Sequence, residues 1–286
     1  RRLEEVKEKF LMEPSFEGIA IHCYSSYRLM TRGRNVPTKS RNDNYTIKAR
    51  QVSQAISIDG KLDDWDLDFP HSIDEKKYVV YGSGAWHDSV DLSYKVYTAW
   101  DNDYFYIAAD ITDDKVVQEK TGVDMWEGDH LEVWLDVDCI GDWTEAVNSE
   151  DDYQIGLSPG NFSNLPPDIY IWTPAMPDNI KYKELIKVAS SKKPDGYIIE
   201  AKIPKTVLFC VCQAPGVVIE PTQAEAPMIF GLPSETILDF NKGYKMGIMV
   251  DIGDTDDKAN PMKLLMSTSV DRIWGDPTTF GVVEFE

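Results

Sequence analysis

The stretch His130–Asp138, HLEVWLDVD, decides the fold. Leu131, Val133, Leu135 and Val137 fall on one side of an extended chain, and Glu132, Trp134, Asp136 and Asp138 fall on the other. Successive side chains of a strand point to opposite faces, so this alternation predicts a half-buried strand of an antiparallel sheet.

Working outward, residues 93–100, SYKVYTAW, and 104–111, YFYIAADI, are rich in β-branched and aromatic side chains and are separated by Asp101-Asn102-Asp103. Turn chemistry between two such runs predicts a hairpin. Downstream, Tyr197–Ile203, Lys245–Ile252 and Phe280–Phe285 read as further strands, and the apolar run Val207–Cys212 suits a buried one. Helical signals are scarce, amounting to a turn or two at residues 114–121 and 204–209. Many short strands with turns between them predict an all-β fold, an antiparallel β-sandwich of immunoglobulin-like or jelly-roll-like form. The sandwich is expected over residues 51–286, with a proline-interrupted insertion at about 210–240 and no internal repeat.

Residues 1–50 differ. Leu3, Val6 and Phe10 recur at helical spacing and Glu5–Lys9 is an i,i+4 pair, which predicts a short helix ending near Glu13-Pro14. The basic stretch RLMTRGRNVPTKSRNDN, residues 28–44, then reads as an irregular extension or a linker from an upstream domain. The sequence has no apolar signal core at its start and does not begin with Met, so a trimmed or processed chain is expected.

Composition narrows the function. The 286 residues include 49 Asp and Glu against 29 Lys and Arg, a net charge of −20. Such a surface repels phosphate backbones and anionic lipid, which argues against nucleic acid or a membrane surface as partner. No apolar run is long enough for a membrane span. The four cysteines, Cys23, Cys139, Cys210 and Cys212, form no zinc or haem-attachment motif. No G-x-S-x-G, H-E-x-x-H or Walker loop is present, and His22, His71, His87 and His130 sit in unrelated contexts, so an enzyme is not expected.

The tryptophans are more informative. Trp65, Trp86, Trp100, Trp134 and Trp172 lie in or beside strand patterns, where core packing is expected. Trp126 and Trp274 instead sit in polar turns, VDMWEGD (123–129) and DRIWGDP (271–277). An indole on such a loop offers a stacking surface for the apolar face of a sugar ring, whose hydroxyls need carboxylates and amides nearby.

Six pieces in order strengthen that reading: IDGKLDDW (58–65); AWDNDYFYIAADITDD running to WEGDHLEVWLDVD (99–138); DDYQIGL (151–157); GYIIEAKIP (196–204); DIGDTDD (251–257); and WGDPTTFGVVEF (274–285). Together they resemble the family 9 carbohydrate-binding modules over about residues 54–286. The resemblance implies a non-catalytic β-sandwich that clamps a terminal sugar between two Trp side chains and often holds structural Ca²⁺. Residue by residue it implies Trp126 and Trp274 as the clamp, Asp113 and Glu132 as sugar-contacting carboxylates, and Gln154 as a further polar contact. Two positions depart from the pattern: Gly156 stands where the sugar-binding type has Arg, and Asp271 where it has Asn. An extracytoplasmic setting is implied, whether periplasmic, secreted or cell-surface.

Calcium is expected on the rim where the strand ending at Asp138 returns at Asp151 and Asp152, since Ca²⁺ takes oxygen ligands from acidic loops. Two rival readings accompany the module. One is an assembly subunit that contacts a protein partner through residues 1–50 or 210–240. The other is a b-type haem carrier, for which Met125, Met246, Met249, Met262 and Lys263 supply ligand types.

Overall fold

A computed structural model describes residues 44–137, 146–148, 151–174, 183–208, 240–259 and 261–286. The predicted N-terminal helix, the four cysteines, most of the 210–240 insertion and Asp138 lie outside the described residues. Strands β1 (Thr46–Gln51), β2 (His71–Ile73), β3 (Val79–Tyr81), β4 (Leu92–Trp100) and β5 (Tyr104–Asp113) come first. Strands β6 (His130–Asp136), β7 (Asp152–Ser158), β8 (Asp168–Thr173), β9 (Lys187–Lys193) and β10 (Gly196–Pro204) follow. The one-turn helix α1 (Lys205–Leu208) leads towards β11 (Lys245–Asp254), β12 (Leu264–Ser267) and β13 (Gly281–Phe285). Among the described residues no helix is long and apolar enough to cross a membrane.

The strands form a β-sandwich. One layer runs β8-β7-β6-β11-β13 and the other β4-β5-β10-β9, with β1 lacing β13 to β4. A single core cluster joins Leu131, Val133, Ile155 and Ile248 of the first layer to Val96, Ile107 and Ile199 of the second. The Tyr94 hydroxyl on β4 crosses this core and donates to the Val250 carbonyl of β11 at 2.9 Å. A buried Tyr finds such a partner because an unpaired hydroxyl there costs free energy.

Several expectations change. The sheet is antiparallel except at β1, which pairs parallel with both neighbours as it slots between the layers. Its Ile47 and Ala49 point into the core, so the sandwich draws in residues read as extension. Val207 and Leu208 lie in α1, which forms the helical turn expected at 204–209, rather than in a strand. No helical turn forms at 114–121; the 3-10 turn lies one step on, at Gly122–Glu127. Strand β6 is buried on both faces, not one. Its core-facing side chains behave as predicted, but most of its polar face is covered too, by Trp274 and Phe280 of the segment that follows β12 and by Trp172 of β8, leaving edges of Glu132 and Gln154 exposed. Trp134 belongs to that polar face, in a small cluster with Met249 and Phe280 apart from the main core.

The opening motif covers the outer face of the other layer. Trp65 and Ile56 pack on Tyr97, Tyr106 and Ala108. Glu200 of β10 is fully buried beneath them. Its carboxylate accepts hydrogen bonds from the Asp59 and Gly60 backbone N–H groups, each at 2.6 Å, and from Trp65 Nε1 at 2.9 Å. Gly60 holds φ +87°, and a Cβ there would meet the Ser190 carbonyl at 2.8 Å, so only glycine fits the turn.

Candidate functional site

The register of four strand pairs lines up one row on the polar face. Tyr170 pairs with Gly156, Gly156 with Glu132, Glu132 with Asp251, and Asp251 with Ser267. In the neighbouring row Gln154 pairs with Trp134 and Trp134 with Met249. The alternation that buries Leu131 and Val133 in the core thus aims Glu132 and Trp134 at this face.

Glu132 is the hub. Its Oε2 accepts from Trp134 Nε1 at 2.9 Å and from Gln154 Nε2 at 3.1 Å, and its Oε1 lies 3.2 Å from His130 Nε2. Burial pushes its carboxyl towards the neutral form, but His130, Arg272 and Gln154 more than offset that and hold it below the usual carboxylate range. Trp134 Nε1 is shared with Asp251 Oδ2 at 3.1 Å. Asp251, deeper and less well compensated, is pushed up by burial.

Arg272 completes the row and was not singled out in the sequence. Its Nε donates to Asp251 Oδ2 at 2.6 Å, one terminal nitrogen lies 3.6 Å from Glu132 Oε2, and the guanidinium sits 5.7 Å above the Trp134 ring. The available signal was a lone cation two residues before Trp274 in a strongly acidic chain.

Trp274 lies beside Trp134, and Trp126 lies on the turn whose Met125 abuts Gly156. Trp274 is 66% exposed and meets the buried Trp134 ring at a centroid distance of 6.3 Å. Its loop is fastened by Asp276, whose side chain accepts from the Thr278 N–H at 3.0 Å. Trp126 is 41% exposed, on the 3-10 turn that packs against β7 and β8. That turn is anchored by Met125, which is buried, and by Trp172 Nε1 donating to the Val123 carbonyl at 3.1 Å. Val123, Val270 and Ile273 are exposed beside the two indoles, so the site carries an apolar rim. Apolar side chains gathered in this way on a surface mark a binding site more often than scattered ones do.

The structure accounts for Gly156. A Cβ there would lie 2.3 Å from the Trp172 ring and 2.9 Å from Met125 Sδ. The indole of Trp172 fills the place into which a longer side chain at 156 would project. Asp271, the other departure, is exposed on the Trp274 loop.

Asp113 is not part of the Glu132 row. It ends β5, Asp129 precedes β6 and Asp254 ends β11, all three at positions in phase with core-facing residues, and their carboxylates come within 4.8 Å of one another. Asp129 accepts from the Val117 and Thr255 N–H groups, and Asp113 from the Lys115 N–H at 2.7 Å. Among the described residues, Asp254 Oδ1 is buried without a hydrogen-bond partner. Burial and mutual repulsion push Asp113 up to about 6 and Asp254 up to about 8. A second grouping, Asp91, Asp254 and Asp256, receives the Lys263 ammonium at 2.8, 3.1 and 2.6 Å.

For the calcium expectation, Asp138 lies outside the described residues, and Asp152 is buried opposite Asp136 at the start of β7. Neither Asp151 nor Asp152 belongs to a carboxylate grouping among the described residues. For the haem reading, Met125, Met246 and Met249 are packed in the interior, Met262 is half-buried, and Lys263 is ion-paired with Asp91, Asp254 and Asp256.

Comparison with known proteins agrees with this architecture. The profile of the family described as carbohydrate family 9 binding domain-like matches residues 58–286. A curated relative, endo-1,4-beta-xylanase A of Thermoanaerobacterium saccharolyticum, is 27% identical over 197 residues, which span 65% of this chain but only 14% of that enzyme. Among solved structures, a carbohydrate binding module family 9 from Caldicellulosiruptor kristjanssonii superposes with a TM-score of 0.54 at 16% identity in its complex with cellotriose, over 85% of this chain and 94% of that one. Its complex with glucose gives the same TM-score and identity over 85% and 96%. At that identity the superposition establishes the sandwich, while the profile, which covers most of the sequence, establishes the lineage: the chain belongs to the carbohydrate family 9 binding domain-like family.

Proposed function

We propose that this chain is a non-catalytic carbohydrate-binding module that takes a sugar ring or glycan end between Trp126 and Trp274, over the Glu132 row. The observation that carries the reading is a pair of exposed indoles, Trp274 beside Trp134 and Trp126 on the turn that packs on Gly156, near a buried, hydrogen-bonded polar row. Indole faces take the apolar face of a pyranose, and Glu132 and Gln154 meet its hydroxyls. The solved relatives hold glucose and cellotriose, so the first ligands to try are glucose and β-1,4-linked glucans. Stacking with a few hydrogen bonds gives micromolar to millimolar affinity once the association cost is met. An extracytoplasmic setting, where such glycans occur, belongs to the same reading. Trp fluorescence during titration with glucose, cellobiose and cellotriose tests it, against xylo-oligosaccharides as a second series.

Calcium is part of the reading, at the Asp113, Asp129 and Asp254 grouping. The donor set is all carboxylate, which suits a hard cation, and Asp254 Oδ1, buried without a hydrogen-bond partner among the described residues, fits a metal ligand. A cation there supplies only charge neutralisation, pinning the ends of β5 and β11 where they meet β6.

A further inference from the structure

We propose that Arg272 is a ligand-contacting residue: its guanidinium is the charged donor of the site, and it sets the site for uncharged sugar hydroxyls. The inference rests on the module reading and assigns within it the strongest donor.

A guanidinium has five N–H donors in a fixed fork. Nε is committed to Asp251 at 2.6 Å. Among the described residues the two terminal nitrogens make no hydrogen bond; one has only the 3.6 Å ion pair with Glu132. Neither is an enclosed unsatisfied atom, and the side chain is 13% exposed, so these donors reach the surface. They do so between the Glu132 row and the loop of Trp274. The rest of the side chain is held in place by Asp251 and by the Trp134 ring beneath it. A fork of free donors, already oriented, can bind two adjacent hydroxyl oxygens without paying for its own ordering. Nothing the protein offers in the strand row supplies this donor, because Gly156 has no side chain and Trp172 lies against it.

The charge balance determines the ligand class. Glu132 is held in its ionised form, in a chain of net charge −20. A uronate would add a further negative charge at close range, where repulsion is weakly screened. A neutral sugar offers hydroxyls that accept from Arg272 and donate to Glu132 without that cost.

Calorimetric titration of the full chain with glucose, its monodeoxy analogues and glucuronate provides the test, on the wild type, R272Q and R272K, with thermal unfolding of each as a check on folding. The wild type is expected to bind glucose at least about ten-fold more tightly than glucuronate. Removing the hydroxyls that Arg272 contacts is expected to weaken wild-type binding about ten-fold each and to change binding to the variants by less than about two-fold. R272K keeps the charge but loses the fork, so it is expected to bind about ten-fold more weakly while unfolding like the wild type. Should R272Q fail to fold, R272K carries the comparison. A wild type that binds sugars, with variants of equal affinity and an unchanged deoxy profile, overturns the assignment of Arg272. Glucuronate binding as tight as glucose overturns the charge argument. A wild type that binds none of the sugars overturns the module reading itself.

Discussion

Trp274 meets Trp134 edge to face, with ring centroids 6.3 Å apart and planes at 89°. The buried indole supports the exposed one. Trp134 is held by hydrogen bonds to both Glu132 and Asp251, so the position of the surface ring is tied to the acids of the polar row. In the proposed module this support would order the surface ring before a ligand arrives, which lowers the entropic cost of binding.

Gly156→Ala is expected to destabilise the fold by about 1–3 kcal/mol, because the added methyl must displace the Trp172 ring or Met125. Urea denaturation measures it. The double change G156A with W172A is expected to be less destabilised than the two single effects summed, since the clash is with Trp172 itself. Simple additivity would mean that the two residues do not compete for one space.

Glu200→Gln is expected to cost about 1–3 kcal/mol, although it removes a buried charge. The amide oxygen can still accept from Asp59 and Gly60, but the amide N–H₂ then faces the Trp65 N–H with no acceptor between them. Chemical denaturation followed by Trp fluorescence reads this, and an unchanged midpoint would show that the Trp65 hydrogen bond contributes nothing.

The cation reading predicts that millimolar Ca²⁺ raises the thermal midpoint and that EDTA lowers it. In D254N the response is expected to shrink strongly, because the unpaired Oδ1 is replaced or lost. A midpoint insensitive to both reagents, with no metal by elemental analysis, removes calcium from the account.

Glu132 gives the acid limb of stability a definite sign. Its folded pKa lies below the ordinary value of 4.5, so its contribution is fully present above that value and is lost as pH falls through the folded pKa. Stability from pH 6 down to pH 3 is therefore expected to fall more steeply in the wild type than in E132Q. Parallel profiles would mean that the carboxylate is not stabilised in its ionised form by His130 and Arg272.

The strands of the sandwich were legible because their signal is local. Residues 93–100, 104–111 and 197–203 carry their periodicity and turn residues within themselves, and each forms the strand expected. The lining of the polar face was only half legible. Alternation placed Glu132 and Trp134 on a common side, but it could not reveal that a later segment covers that side, since the covering is a contact between β6 and residues more than a hundred positions away. Arg272 was missed for the same reason: it becomes informative only when Asp251 and Glu132 are beside it. Asp113 was read as a partner of Glu132 from motif order, whereas strand parity puts it in phase with the core, beside Asp129 and Asp254.

The central claim, a sugar held between Trp126 and Trp274, is tested most directly by following intrinsic Trp fluorescence of the full chain during titration with cellotriose, with W126A and W274A in parallel. The account predicts a saturable change in the wild type in the micromolar to millimolar range, weakened at least about ten-fold in each variant, with thermal midpoints little changed because both rings are largely at the surface. No saturable change at tens of millimolar, or equal affinity in all three proteins, would contradict it.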